Sequence, residues 1–186
     1  MRKLFMFNMV SLDGFFSGPA GELDWHNVDA EFNDFAVKQL DEVDALLFGR
    51  VTWELMAAYW PTQAARQNDP AVAGRMNALT KVVASRTLMK AEWENSRLAG
   101  RDASREISEL KARPGKDIAL FGSARLATSL MEAGLIDELR IMVNPVALGA
   151  GRRLFAEIGG QHRLKLVASR AFRSGNVLLV YETLKS

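Results

Sequence analysis

The stretch Asp44-Ala-Leu-Leu-Phe-Gly-Arg-Val-Thr-Trp-Glu54 is a short apolar run that breaks at Gly49 and opens into a helical pattern. It reads as a strand feeding the N-terminus of a helix. The first N–H groups of a helix have no intrahelical partner, and the macrodipole places partial positive charge there, so such a junction favours a phosphate. Gly49 lets an anion approach the backbone, Arg50 adds charge and Thr52 adds a hydroxyl. A plain turn followed by a solvated arginine accounts for the same residues, so the junction gains meaning only from its neighbours. One neighbour repeats it: Asp117-Ile-Ala-Leu-Phe121 runs into Gly122-Ser123 and a second helical pattern.

The rest of the chain arranges itself around these two junctions. Residues 3 to 10 are almost continuously apolar, as a strand buried on both faces requires. The Asp13-Gly14 and Ser17-Gly18-Pro19 signals predict a loop without regular structure from Ser11 to Gly21, with Phe15 and Phe16 available to bury. Asp29 is placed to cap a helix carrying Phe32, Phe35, Ala36 and Leu40 on one side. A helix from Val51 to Ala58 stops before Trp60-Pro61, and a shorter one follows Pro70. Lys81 to Ser85 reads as a strand, 89 to 100 as irregular, and Arg101 to Ala112 as an amphipathic helix with Ile107 and Leu110 inward.

The helix after Gly122-Ser123 buries Leu126, Leu130 and Met131 and ends at Gly134. The last third changes character. Glu138–Leu148, Arg163–Phe172 and Val177–Leu184 read as strands, the last two joined as a hairpin through Ser174-Gly175-Asn176. The pattern predicts an α/β fold with a mostly parallel central sheet and an antiparallel C-terminal edge hairpin.

At 186 residues the chain suits one domain, residues 1–186, and its 48% hydrophobic content suffices for a sizeable core. The net charge of +2 is spread along the chain, and Arg152-Arg153 is too short a basic run to track a nucleic-acid backbone, so nucleic acid is not an expected partner. The lack of cysteine excludes disulfides, thiolate nucleophiles and zinc ribbons; His26 and His162 alone make no metal cluster. The run from Leu4 to Val10 is too short for a membrane span and lacks a signal-peptide pattern, which leads to a cytoplasmic expectation.

Three strand ends then carry polar groups suited to a dinucleotide: Gly49-Arg50-Val51-Thr52, Ser85-Arg86-Thr87 and Gly122-Ser123-Ala124-Arg125. Ligands of open α/β sheets sit beyond the carboxyl ends of the strands, so all three face one crevice. Two are helix starts suited to a pyrophosphate; Ser85 and Arg86 suit a terminal or 2′-phosphate, although a turn and a surface cation explain them equally well. Ser123 as a hydrolytic nucleophile is disfavoured, because no histidine is placed to activate it.

The order of Met9-Val-Ser-Leu-Asp-Gly14, Gly21 to Trp25, Leu47-Phe-Gly-Arg-Val-Thr-Trp-Glu54, Val83-Ala-Ser-Arg-Thr-Leu88, Phe121-Gly-Ser-Ala-Arg-Leu126, Leu135-Ile-Asp-Glu-Leu139 and Asn144 to Phe155 resembles the dihydrofolate reductase-like superfamily. In particular it resembles, as a standalone chain, the reductase domain of bacterial riboflavin biosynthesis. The resemblance implies a three-layer dihydrofolate reductase-like fold and a homodimer. It implies NADPH, with Gly49, Arg50 and Thr52 on the phosphates, Ser85, Arg86 and Thr87 near the adenosine 2′-phosphate, and Gly122, Ser123, Ala124, Arg125 and Leu126 on the pyrophosphate side.

It further implies hydride transfer to a small heterocyclic or carbonyl substrate, in the manner of a 5-amino-6-(5-phosphoribosylamino)uracil reductase. Under it, the loop from Ser11 to Trp25 covers the nicotinamide, Asp13 and Glu31 are the candidate catalytic acids, and Trp25 and Asp34 flank the substrate. Gly122-Ser123 stands where dihydrofolate reductases carry paired glycines, which weakens a dihydrofolate or pteridine reductase reading. The His-x-Glu and Cys-x-x-Cys zinc signature of the bifunctional riboflavin enzyme is absent from the sequence. Lys38, Arg66 and Arg75 are candidates for a ribose phosphate by charge alone. The rival reading is a module that binds NADPH for regulation and does not turn over.

Overall fold

The computed structural model describes residues 1–100 and 102–184. In chain order the elements are β1 (Leu4–Ser11), β2 (Phe15–Ser17), α1 (Ala30–Asp41), β3 (Val43–Gly49), α2 (Arg50–Tyr59), α3 (Gln63–Asn68), α4 (Pro70–Ala78) and β4 (Thr80–Ala84). They continue with β5 (Ser96–Leu98), α5 (Ala103–Ala112), β6 (Asp117–Phe121), α6 (Ala124–Glu132), β7 (Glu138–Asn144), β8 (Arg152–Arg153), β9 (Leu164–Ala171) and β10 (Val177–Thr183).

Eight strands form one sheet in the order β5-β4-β3-β6-β1-β7-β10-β9. The pairs from β5 to β7 are parallel, while β10 runs antiparallel to both β7 and β9 and so makes the expected edge hairpin. Strict alternation along the central strands separates two cores. Leu4, Met6, Leu47, Ile118 and Leu120 face the layer of α5 and α6, where Ile107 and Leu130 lie fully buried. Phe5, Leu46, Phe48, Ala119 and Phe121 face the other layer, with Leu40, Trp53, Val72 and Met76. Each such side chain taken from water contributes about 1.5–3 kcal/mol, which is why these two apolar faces hold the three layers together.

Local chemistry sets the element ends. Asp29 accepts a hydrogen bond from the Phe32 N–H at 2.8 Å and starts α1, as its position in the sequence predicted. Lys81, at the opening of β4, is wholly buried and donates to the carbonyls of Met76, Asn77 and Leu79 at 2.7–2.9 Å, occupying acceptors that the end of α4 leaves open. Burial pulls its pKa down to about 8.

Several boundaries differ from expectation. The loop after β1 contains a three-residue strand, β2, which pairs antiparallel with β8; segments this short carry no readable periodicity. The stretch from 89 to 100 contains β5, a parallel edge strand beside β4, and α3 precedes α4. The strand expected to reach Leu148 ends at Asn144. The helix expected from Arg101 is described from Ala103, with Arg101 outside the described residues. No helix among the described residues is long and apolar enough to cross a membrane.

Candidate active site

Because β4, β3, β6, β1 and β7 are parallel, their carboxyl ends open on one side of the molecule, and the two glycine junctions lie next to each other there. Gly49 donates its N–H to the Ser123 hydroxyl at 2.7 Å, and that hydroxyl lies 3.0 Å from the Thr52 hydroxyl. The fit is close on both sides. A Cβ on Gly49 would stand 2.5 Å from the Ser123 oxygen, and one on Gly122 would stand 2.8 Å from the Thr52 oxygen. Gly122 and Ser123 both take positive φ, 63° and 59°, so the chain enters α6 through two left-handed residues. Neither α2 nor α6 has a side-chain cap on its first N–H groups, since Ser123 turns its hydroxyl away to Gly49.

Beside this interlock lies a cavity of about 500 Å³. Its floor is Phe7, Asn8 and Met9 of β1 with Phe121 of β6, and its walls come from α1, α2, α4 and the loop between β2 and α1. Thr52, Gly122 and Ser123 line the same space, so cavity and junctions are continuous. The lining is mostly aromatic and aliphatic. Asp69 and Arg152, of opposite sign, are its only ionised side chains among the described residues.

The sequence-predicted contacts distribute unevenly around this centre. Thr52, Gly122 and Ser123 meet as described. Gly49 lies among them, but its N–H is already bonded to Ser123. Arg50 is engaged with Glu54 one helical turn on, at 2.9 and 3.0 Å. Ser85 follows β4 and accepts the N–H groups of Thr87 and Leu88, which makes it a turn-former; Arg86 and Thr87 are exposed. Arg86 makes no ion pair among the described residues. Ala124 is half-buried, Arg125 reaches Glu157 at 3.5 Å on the surface, and Leu126 packs against the core.

Neither candidate acid lines the cavity. The Asp13 carboxylate accepts the Ser11 hydroxyl at 2.6 Å and the N–H groups of Gly149 and Leu148 at 2.7 and 3.1 Å. These bonds, the Ser11 hydroxyl foremost, stabilise the charged form and pull its pKa down to about 2, the opposite of what a proton donor near neutrality needs. Asp13 therefore ties the loop after β1 to the loop after β7. Glu31 accepts the Arg173 N–H at 2.9 Å and pairs with the Arg170 guanidinium at 2.7 Å, contacts that likewise hold its pKa down. It anchors α1 to the β9–β10 hairpin.

The two substrate candidates also stand outside the lining, although their neighbours are in it. Asp34 is exposed on α1, while Phe32 and Asn33 line the cavity. Trp25 sets its ring edge-on against His26 at 4.5 Å, and it is His26 that reaches the cavity wall. Burial pulls the His26 pKa down to about 4, so the imidazole is neutral at physiological pH. The segment bearing His26 is latched from outside: Asn27 donates its N–H to Asn144 at 2.9 Å and its amide to Ser174, and Asn176 donates to the Asn27 carbonyl at 2.7 Å.

Polar lining residues that the sequence did not single out for the site include Asn8, Ser17, His26, Asn33, Gln39 and Asp69. One signal was present, because Asn8 is the polar interruption in an otherwise apolar buried strand. Lys38 and Arg66 are exposed and outside the lining, and Arg75 is held by both oxygens of Asp41 at 2.7 and 2.9 Å.

A parallel sheet between two helical layers, an antiparallel C-terminal edge, and an apolar cavity joined to two helix starts make up a dihydrofolate reductase-like fold. The chain belongs to the RibD C-terminal domain family, which it matches over residues 2–178. It is 36% identical over 183 residues to the uncharacterized protein YyaP of Bacillus subtilis (strain 168), covering 97% of this chain and 94% of that one. Two solved structures share the fold. A protein from Shewanella sp. PV-4 assigned to riboflavin biosynthesis superposes with a TM-score of 0.76 at 22% identity, covering 98% of this chain and 99% of that one. Dihydrofolate reductase from Enterococcus faecalis, complexed with NADP(H), superposes with a TM-score of 0.65 at 18% identity, covering 98% and 97%.

Proposed function

We propose that this protein is an NADPH-dependent reductase that delivers a hydride to a small heterocyclic or carbonyl substrate held in the cavity. The observation carrying this reading is the interlock of Gly49, Thr52, Gly122 and Ser123, where two uncapped helix starts converge at one wall of an apolar cavity. Uncapped helix N-termini attract phosphate, and the two glycines let the two helix starts stand close enough to act on one anion. The residues present therefore fit a dinucleotide: the starts of α2 and α6 on its pyrophosphate, and Arg86 with Ser85 and Thr87 on a 2′-phosphate. The E. faecalis reductase with NADP(H) offers the same fold for such a ligand.

When bound, NADPH supplies the hydride. The chain's own residues position and enclose. Phe7, Phe32, Phe121 and Trp60 exclude water from the cavity, and Asp13 holds the covering loop closed through Leu148 and Gly149. With Asp13 and Glu31 both held as carboxylates by their partners, the proton that completes a reduction comes from an ordered water at the mouth of the cavity.

The chain also exposes Leu164, Leu166 and Val167 along β9, the outermost strand of the sheet, in line with a homodimer closed over this edge in the cytoplasm. Arg86 tests the cofactor assignment. A charge-assisted hydrogen bond contributes about 1.5–3 kcal/mol, so Arg86→Ala weakens NADPH by about ten- to one-hundred-fold and leaves NADH unchanged. Equal losses for the two cofactors refute the 2′-phosphate role.

A further inference from the structure

Three helices line the cavity, each with a stripe of side chains at helical spacing. Asn33, Ala36 and Leu40 form the stripe of α1, and Asp69, Val72 and Met76 that of α4, which Asp69 opens. The two helices run in the same direction, since Asn33 meets Asp69 near their starts and Asp41 meets Arg75 near their ends. Exposure falls along both stripes, from the half-buried Asn33 and Asp69 to Leu40 and Met76 at 3% and 2%. The Asp69 carboxylate therefore stands at the open end of the cavity, on the helix face that lines it.

That carboxylate is oriented but not neutralised. Asn33 donates its amide N–H to Asp69 Oδ1 at 2.6 Å, and Oδ2 accepts no hydrogen bond among the described residues. The cations nearest in sequence are engaged or elsewhere: Arg75 is held by Asp41, and Arg66 is exposed beside a separate recess that it shares with Glu94. The third stripe, on α2, is apolar yet open to water, with Val51 54%, Leu55 53% and Tyr59 40% exposed. Single exposed hydrophobes need no explanation; three in line along the wall of a cavity make a continuous apolar strip.

Resting on the reductase reading, we infer that the substrate carries an ammonium group that pairs with Asp69, on an apolar stem that lies along Val51, Leu55 and Tyr59. An ammonium has three N–H donors and no acceptor, which suits a carboxylate with one oxygen still to be used. A carboxylate or phosphate in the same place would meet Asp69 as a like charge and find no cation to replace its lost water. The stem contributes by displacing water around the pair, because opposite charges attract more strongly as the local dielectric falls. A hydrogen bond to a charged group exceeds a neutral one by enough to raise affinity about tenfold over a hydroxyl at that position.

The test titrates the full chain at pH 7.5 with three ligands that share one stem, phenylbutylamine, phenylbutanol and phenylbutyrate, with and without saturating NADPH. The amine binds about tenfold more tightly than the alcohol, and the acid more weakly than either. Asp69→Asn keeps an acceptor for Asn33 but removes the charge, so the amine falls to the affinity of the alcohol while the alcohol itself is unchanged. A carboxylate serving only the start of α4 would instead lower the melting temperature of this variant and leave the ratio of amine to alcohol as it was. Leu55→Ser, at an exposed position, weakens amine and alcohol alike.

Binding of the acid as tightly as the amine, an amine preference that survives Asp69→Asn, or no saturable binding of the amine at millimolar concentration overturns the inference. Full affinity in Leu55→Ser overturns the placement of the stem. Direct NADPH titration of the same samples reads the reductase proposal separately. Failure to bind NADPH beside an Asp69-dependent amine preference overturns that proposal and leaves the amine site standing, whereas NADPH binding without the preference does the reverse.

Discussion

Lowering the pH exposes the environment of His26 more sharply than any substitution at its partners. Burial lowers its pKa from 6.5 to about 4. Between those two values the unfolded chain binds a proton that the folded protein does not, so stability falls as pH drops from 6.5 and the full loss is reached near pH 4. A shift of this size, at roughly 1.4 kcal/mol per pKa unit, corresponds to about 3 kcal/mol. His26→Phe keeps a flat ring against Trp25 but takes up no proton. Carboxylates held below their ordinary range, such as Asp13 and Glu31, lose their contribution in acid equally in both proteins.

The difference between the two unfolding curves therefore isolates one imidazole. Urea unfolding at steps from pH 7.5 to pH 4 gives a constant offset above pH 7 and a shift of about 3 kcal/mol in favour of His26→Phe by pH 4. For a chain of this length that is a widening of roughly 6–12 °C in melting temperature. Curves that stay parallel to pH 4 show that His26 is solvated, and the account of a buried, neutral imidazole then fails.

The junctions and the loop give further expectations. Ser123→Ala removes the acceptor of the Gly49 N–H and the neighbour of Thr52, which costs about 1–2 kcal/mol in unfolding free energy and weakens NADPH in direct titration. Gly122→Ala is the more damaging change, since a side chain at φ 63° would also stand 2.8 Å from Thr52; a loss smaller than that of Ser123→Ala in the same assay contradicts the interlock. Asp13→Asn loosens the loop after β7 and lowers turnover, yet removes no ionisation from the pH–rate profile between pH 5 and 9, because the carboxyl titrates near 2. Loss of an ionisation in that range restores Asp13 as the proton donor.

What sequence reading reached was decided by the range of each interaction. The unbroken apolar runs through Phe5-Met6, Leu46-Leu47 and Ala119-Leu120 are local, and so strands buried on both faces of a parallel sheet were legible. The Asp29 cap involves residues three apart and was legible for the same reason. Asp13 and Glu31 bond to groups 135 to 142 positions away, which no local pattern records, and their placement at the cavity gave way to structural ties. His26 looked like an isolated histidine because its setting comes from Trp25 beside it and from a latch to Asn144, Ser174 and Asn176 far along the chain. Gly49 and Gly122-Ser123 were read as two similar turns; that one hydroxyl joins them depends on the sheet order placing β3 next to β6.

The central claim is that the interlocked helix starts hold the pyrophosphate of a nicotinamide cofactor whose 2′-phosphate is met by Arg86, Ser85 and Thr87. Calorimetric titration of the unaltered protein with NADPH, beside an identical titration with NADH, addresses it most directly. Saturable binding of one NADPH per chain, at least tenfold tighter than NADH, is the expected result. No saturable binding up to millimolar NADPH, or equal affinity for both nucleotides, contradicts it.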